Sequence, residues 1–328
     1  MYDNQFIKAL KSNCNKNLSF IDEVANVLDI NYDASYRRIN GRTHISLEDG
    51  IKLAKHFNVS LNELYRIGDQ DRIMVTKTQR INSAASLIAY FKKVNNHLKP
   101  LEHNDKARMY YSARELPIFY YLKDPLLLRF KLFVWLQILD KNKSYKKIKF
   151  EEYKFPAELI ETTLLTGKKY EKIRITEMWS SGILNSELNQ IRYFFETKLL
   201  SYKMAVRICN QLRETIKKIE ESTDTGKRES KVPFRLYHNE LTTLNNTVLL
   251  KTKNRKILFV PHTLLNFYRV DDQRFCDEMD DFLEDQRFIS KQITHSGIKD
   301  IILFFKPKYD QIDKLLKWLD LMNRFPIH

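Results

Sequence analysis

The segment NYDASYRRINGR, residues 31–42, gathers three arginines and two tyrosines between a helix-capping asparagine and a glycine stop. A guanidinium group is a planar fork that binds phosphate, or the O6 and N7 of guanine, through paired hydrogen bonds. Tyrosine adds a hydroxyl and a flat apolar face. A segment built only to pack needs fewer arginines, and one built only for solubility has no use for tyrosines at helical spacing. These side chains suit contact with a polyanion.

The surrounding residues, 18–65, supply elements that could hold such a segment. Ile21, Val24, Ala25 and Leu28 make one apolar helix face entered through Ser19. Asp29-Ile30-Asn31 reads as a short polar turn. A second helix starts at Asn31 or Asp33, both good caps, and stops at Asn40-Gly41, a left-handed exit. Ser46 with Asp49 resembles a capping box for a third helix through Phe57, and a short fourth helix follows at Leu61–Tyr65. Short helices with a tight turn between successive members are the helix-turn-helix arrangement.

This stretch resembles the lambda-repressor/Cro (XRE-like) DNA-binding family. It is most similar to the Bacteroidetes-type regulators in which a YRRI-x-G signature follows the turn. The resemblance rests on Ala25-x-x-Leu28, Gly41-Arg42, Ser46-Leu47-Glu48 and the run Leu53-Ala54-Lys55-x-Phe57-x-Val59-Ser60-Leu61-x-Glu63-Leu64. There are two departures: the turn residue, a glycine in the common pattern, is Asp29, and the apolar positions Tyr36 and Ile39 fall one place later. The resemblance implies that residues 31–40 lie in the major groove, with Asn31, Tyr32, Asp33 and Ser35 at the base-facing end and Tyr36 and Ile39 turned inward. Arg37, Arg38 and Arg42 would then meet phosphates or guanine. It also implies a homodimer that reads a palindrome. The competing reading is that these arginines form surface ion pairs with Asp29, Asp33 or Glu48.

Charge supports a polyanionic partner. Of the net +15, residues 71–231 contribute +13, with 32 Lys/Arg against 19 Asp/Glu, while residues 1–70 are balanced at nine of each. Lys141, Lys143, Lys146, Lys147 and Lys149, interleaved with Tyr145, Phe150 and Tyr153, form a basic cluster suited to phosphate contacts and stacking, and Lys168, Lys169 and Lys172 around Tyr170 form a second.

Composition excludes several other classes. Seven glycines are too few for phosphate-binding loops or a turn-dense β fold, and no nucleotide fingerprint is present. Eight histidines and three cysteines show no metal-ligand spacing, so no metal or other cofactor is expected. No run approaches the roughly eighteen uncharged apolar residues of a membrane helix, and the N-terminus lacks the apolar core of a signal peptide. A cytoplasmic, non-enzymatic bacterial protein is the expectation.

The fold class expected is mainly α. It comprises a helix-turn-helix domain over 1–70, a basic helical region over 71–221, a linker at 222–231 and a small α+β domain over 232–328. Within the helical region, Ala84 to Leu98 is periodic, and a second, strongly apolar block offers Pro125 as the opening of a helix that runs to about Leu139. Met204, Ile208, Leu212, Ile216 and Ile219 form a near-heptad stripe that is either core or a dimer seam. FRLYH, TVLLK and KILFVP read as strands, and Gln273–Phe288 and Tyr309–Met322 as helices. The acidic run from Asp271 to Asp285 reads as a solvated face, available to meet the basic middle region. The expected function is sequence-specific double-stranded DNA binding in transcription regulation. The alternative is an interaction or defence-type effector with an unrecognised activity beyond residue 71, its helix-turn-helix serving autoregulation; a concave pocket holding His238, His262 or His295 with two carboxylates would favour it.

Overall fold

The computed structural model describes residues 2–14, 19–65, 73–139, 148–241 and 244–325, and the chain divides into two compact units, 1–74 and 75–328. It is mainly helical, with one mixed sheet. Among the described residues no helix is long and apolar enough to cross a membrane.

The first unit consists of α1 (Tyr2–Asn13), α2 (Phe20–Leu28), α3 (Tyr32–Ile39), α4 (Leu47–His56) and α5 (Leu61–Tyr65). Helices this short are marginal alone and are held by the apolar faces they share. Phe6, Leu10, Val24, Leu28, Leu53, Ala54 and Phe57 form the core. Three of the helices end alike. Asp29, Gly41 and Asn58 each take a left-handed conformation, with φ of 54°, 71° and 53°. The next amide then reaches back five residues, Ile30 to Ala25, Arg42 to Arg37 and Val59 to Ala54, at 3.0, 2.8 and 2.9 Å. Asparagine and aspartate tolerate this conformation better than other non-glycine residues, so Asp29 can serve where a glycine is common.

The second unit contains, in chain order, β1 (Thr76–Lys77), α6 (Ala84–Leu98), β2 (Arg108–Ala113), α7 (Ile118–Tyr121), α8 (Pro125–Leu139), α9 (Ala157–Glu171), β3 (Ile175–Trp179), α10 (Asn185–Glu196) and α11 (Tyr202–Thr225). There follow β4 (Phe234–His238), β5 (Thr247–Lys251), β6 (Lys256–Pro261), β7 (Phe267–Val270), α12 (Gln273–Phe288), β8 (Lys291–Gln292) and α13 (Ile298–Arg324). The strands form one sheet in the order β1-β7-β6-β5-β2-β3-β4-β8. Its centre, β2-β3-β4, is parallel, and β5, β6 and β7 continue from β2 as an antiparallel meander.

This arrangement differs from the sequence reading at several points. The stretch 71–221 is not wholly helical, because β2 and β3 lie within it. Their buried faces make MYYSA and ITEMW short continuous runs with little of the alternation that marks a strand. Strands from 71–221 and from 232–328 share one sheet within one unit, so the two stretches are not the separate regions expected. Residues 222–231 are not a linker: α11 runs to Thr225, left-handed Gly226 ends it, and Arg228 turns into the core. There Arg228 Nη2 meets Glu177 Oε1 at 3.1 Å, and its guanidinium lies 4.1 Å from the centre of the Tyr170 ring. Glu177 also accepts hydrogen bonds from the Tyr120 hydroxyl and the Trp179 indole at 2.8 and 2.7 Å. Burial pushes its carboxyl up, while Arg228 and these donors hold it down.

The stripe from Ile208 to Ile219 is buried against the rest of the unit, with Met204 partly covered, so it is core and no dimer seam. The helix expected at Tyr309–Met322 begins at Ile298 and contains Pro307. The acidic run is largely paired with its own neighbours: Asp271 meets Arg255 and Arg269, and Asp280 meets Lys251 and Lys256.

Candidate nucleic-acid interface

Helix α3 is set on α2 by one buried contact. Ser35 is fully buried, and its hydroxyl donates to the Ile21 carbonyl at 2.8 Å. The N-terminus of α3 is capped by Asn31, whose side-chain oxygen accepts the Ala34 amide at 2.8 Å, and Asp33 in the first turn suits the positive end of the helix. With Ser35 inward, the outward face is Tyr32, Asp33, Tyr36 and Arg37. Tyr32 is 51 % and Tyr36 40 % exposed.

Two expectations are corrected here. Ser35 anchors the helix and is unavailable to a base edge. Tyr36, expected to pack inward, stands on the open face, while Ile39 packs against the core as expected. The reason is the one-residue shift of the apolar pattern: Ser35 occupies the innermost position, and its hydroxyl is satisfied by an α2 carbonyl.

The arginines divide. Arg38 Nε lies 3.4 Å from Asp49 Oδ2 of α4, with the two side chains 22 % and 19 % exposed, and its Nη1 reaches the Ala34 carbonyl at 3.5 Å. Arg38 therefore joins α3 to α4. The partner is Asp49, a residue absent from the set of acids considered from sequence; Glu48 instead pairs with Lys52 at 2.8 Å. Arg37 and Arg42 make no ion pair among the described residues. The Arg42 guanidinium lies 5.9 Å from the centre of the Tyr36 ring. Gly41 makes the turn that brings it there, and its positive φ disfavours any side chain.

Behind α3, Ser46 caps α4 by accepting the Asp49 amide at 3.1 Å. Glu23 of α2 accepts from His56 Nε2 and from the Cys14 thiol, both at 2.9 Å, and so ties the ends of α1 and α4 to α2. The hydrogen bonds from Cys14 and then His56 hold the Glu23 carboxyl below its usual range, and the same bond to Glu23 pushes the thiol up.

Lys141, Lys143, Lys146 and Lys147 lie outside the described residues, and Lys149 is exposed in the second unit. Tyr145 also lies outside the described residues, and the described aromatics of these clusters, Phe150, Tyr153 and Tyr170, are buried and offer no stacking face. Lys169 and Lys172 pair with Glu102, which lowers their availability to phosphate. Among the described residues no group of His, Cys, Asp and Glu could hold a metal ion.

The first unit thus offers one outward helix face carrying two tyrosines, a carboxylate and Arg37, which has no ion pair among the described residues, with Arg42 at its edge. Of these, the outward turn of Tyr36 and the role of Asp49 were not legible from spacing alone. Compared with family models, with curated proteins and with solved structures, the chain matches none.

Proposed function

We propose that this chain is a sequence-specific double-stranded DNA-binding regulator that places α3 in the major groove. The observation that carries the reading is the open face of α3. Arg37 and Arg42 make no ion pair among the described residues there, and Tyr32, Asp33 and Tyr36 lie beside them, directly after a tight left-handed turn. In the major groove the N-terminal residues of such a helix reach base edges, which assigns Asn31, Tyr32 and Asp33 to that end. Arg37 is the side chain to fork onto a guanine, and Arg42, beyond the helix, takes a phosphate. Arg38 supports the geometry through Asp49. A single such unit reads only a few base pairs, so the reading includes a homodimer on a two-fold symmetric site. A reducing, cytoplasmic setting suits both the target and the three cysteines, which form no disulfide.

The test is selection of duplexes from a random pool by the full chain, followed by footprinting. An enriched sequence whose binding falls on replacing Arg37 supports the proposal, and a pool that stays random after repeated rounds overturns it. Light scattering on the bound and free chain checks the two-fold stoichiometry.

A further inference from the structure

The parallel strands β2, β3 and β4 end side by side, with Ala113 paired to Trp179 and Trp179 to His238. In open sheets of this kind, ligand chemistry collects just beyond the carboxyl ends of parallel strands. After β3 the chain turns through Ser180, Ser181 and Gly182 before α10, and Glu240 follows β4 by two residues. Ser181 Oγ lies 3.1 Å from His238 Nε2, and His238 Nδ1 lies 3.2 Å from Glu240 Oε1. One ring nitrogen thus meets a hydroxyl and the other a carboxylate, the arrangement that turns a serine into a nucleophile.

The imidazole is held in place. Its ring packs edge-on against Phe304 of α13 with centroids 4.9 Å apart. The next residue is locked by the Asn239 amide on the Trp179 carbonyl at 3.0 Å and by the Asn239 side chain on Ser290 Oγ at 2.9 Å. The His238 side chain is 12 % exposed, while Ser181 and Glu240 are open to solvent. The charged groups facing the ring are Glu240, Lys308 from α13 and Lys291 from β8; burial and then Lys308 hold the imidazole below its usual range, with Glu240 opposing. The neutral ring is the form that accepts a proton. Leu241, next after Glu240, is 77 % exposed, and Phe288 and Ile289, just before the Ser290 that bonds Asn239, are exposed as well, so apolar side chains adjoin in the chain the residues that flank the imidazole.

We propose that Ser181, His238 and Glu240 form a hydrolytic relay that cleaves carboxylic esters with an apolar acyl group. Ser181 Oγ bonds to the acyl carbon as its proton passes to His238 Nε2. The ester C–O bond breaks, and the alkoxide leaves with that proton. Water then adds to the acyl carbon, giving a proton to His238. The bond to Ser181 breaks, and the proton returns to Oγ as the acid departs. Ser181 and His238 touch the reacting atoms, and Glu240 is a positioning residue that fixes the ring tautomer.

The experiment treats the full chain with an alkyl fluorophosphonate, which loses fluoride to an activated serine, and maps the adduct by peptide mass. One adduct on Ser181 is expected, together with hydrolysis of p-nitrophenyl butyrate. Ser181→Ala and His238→Asn should each lower both by about 100-fold or more, and Ser180→Ala should leave them unchanged. Glu240→Gln should lower hydrolysis several-fold and move the rise of rate with pH to lower pH, because Glu240 favours the charged ring; Glu240→Asp should restore part of the rate. Circular dichroism establishes that each variant keeps its fold. An unlabelled wild-type chain, an adduct elsewhere, or full labelling in folded His238→Asn would overturn the proposal.

Discussion

Arg38 Nε in α3 stands 3.4 Å from Asp49 Oδ2 in α4, whereas the adjacent Arg37 has no ion pair among the described residues. Two neighbouring arginines of one motif are therefore expected to separate in their effects. Arg38→Ala should lower the stability of the first unit by up to about 1 kcal/mol, since the pair is partly solvated. Arg37→Ala should leave the melting temperature unchanged and cost about 1–3 kcal/mol of binding at one base pair. Thermal melts and fluorescence anisotropy on a selected duplex measure the two. The reverse pattern would exchange their roles.

Ser35 tests how α3 is seated. Ser35→Ala removes the hydroxyl bond to Ile21 and should cost about 0.5–1.5 kcal/mol. Ser35→Leu adds volume at a fully buried site and should cost about 1–3 kcal/mol. DNA binding should weaken more in the leucine variant, where α3 must move, than in the alanine variant. Equal stability in all three proteins, by urea titration, would contradict the buried placement.

Gly167 in α9 is a close-approach position. A Cβ built there would lie 2.6 Å from the Leu122 carbonyl oxygen and 2.8 Å from its carbon, both backbone atoms of a buried residue. Gly167→Ala should destabilise the second unit by about 1–3 kcal/mol, overriding the better helix propensity of alanine. Unfolding followed by tryptophan fluorescence reports on this unit, because Trp135, Trp179 and Trp318 all lie in it. A more stable variant would show that α9 can shift away.

Lys308 should make stability depend on pH. It is buried, its Nζ donates to the Phe304 carbonyl at 2.7 Å, and burial pushes its pKa down to about 7 from 10.5. Between these values the unfolded chain binds a proton that the folded chain does not, so this group raises stability as pH rises from about 7 toward 9, by up to about 1.4 kcal/mol per pH unit. Below pH 7 the folded state also carries the buried charge, and the penalty is at its full size. Lys308→Met should therefore stabilise the protein more at pH 6.5 than at pH 9. A pH-independent difference in urea midpoints would argue that the ammonium is solvated.

The charge distribution predicts a salt effect. Residues 1–70 carry no net charge, whereas residues 71–231 carry +13. If that charge contributes to DNA binding, the log–log salt slope of the full chain should exceed that of a 1–74 fragment by several units, each phosphate contact adding about 0.9. Slopes that agree within about one unit would assign the phosphate contacts to the first unit alone.

Much of the first unit was legible in the sequence because its signals are local. Ser46 caps by reaching the Asp49 amide, Asn31 caps by reaching that of Ala34, and Gly41 takes the conformation that suits a residue without Cβ. The apolar faces of α2 and α4 follow from spacing on a single helix. What spacing could not decide was the rotation of α3 about its own axis. A polar Ser35 at the innermost position becomes acceptable only when the Ile21 carbonyl, fourteen residues away, stands opposite its hydroxyl. The inward Arg38 likewise needs Asp49 on another helix.

In the second unit the balance is different. Helix α8 was legible from Pro125 and the apolar block that follows it, and α12 from its helical pattern. Strands β2 and β3 were hidden because burial removes the polar alternation by which a strand is recognised. Ser181, His238 and Glu240 form no sequence motif. The parallel register that pairs Trp179 with His238 brings a hydroxyl to an imidazole fifty-seven residues further along the chain. Local chemistry determined the caps, turns and helix faces of this protein. Only the tertiary structure decided which polar groups meet, because each such meeting depends on how two separate elements are registered against one another.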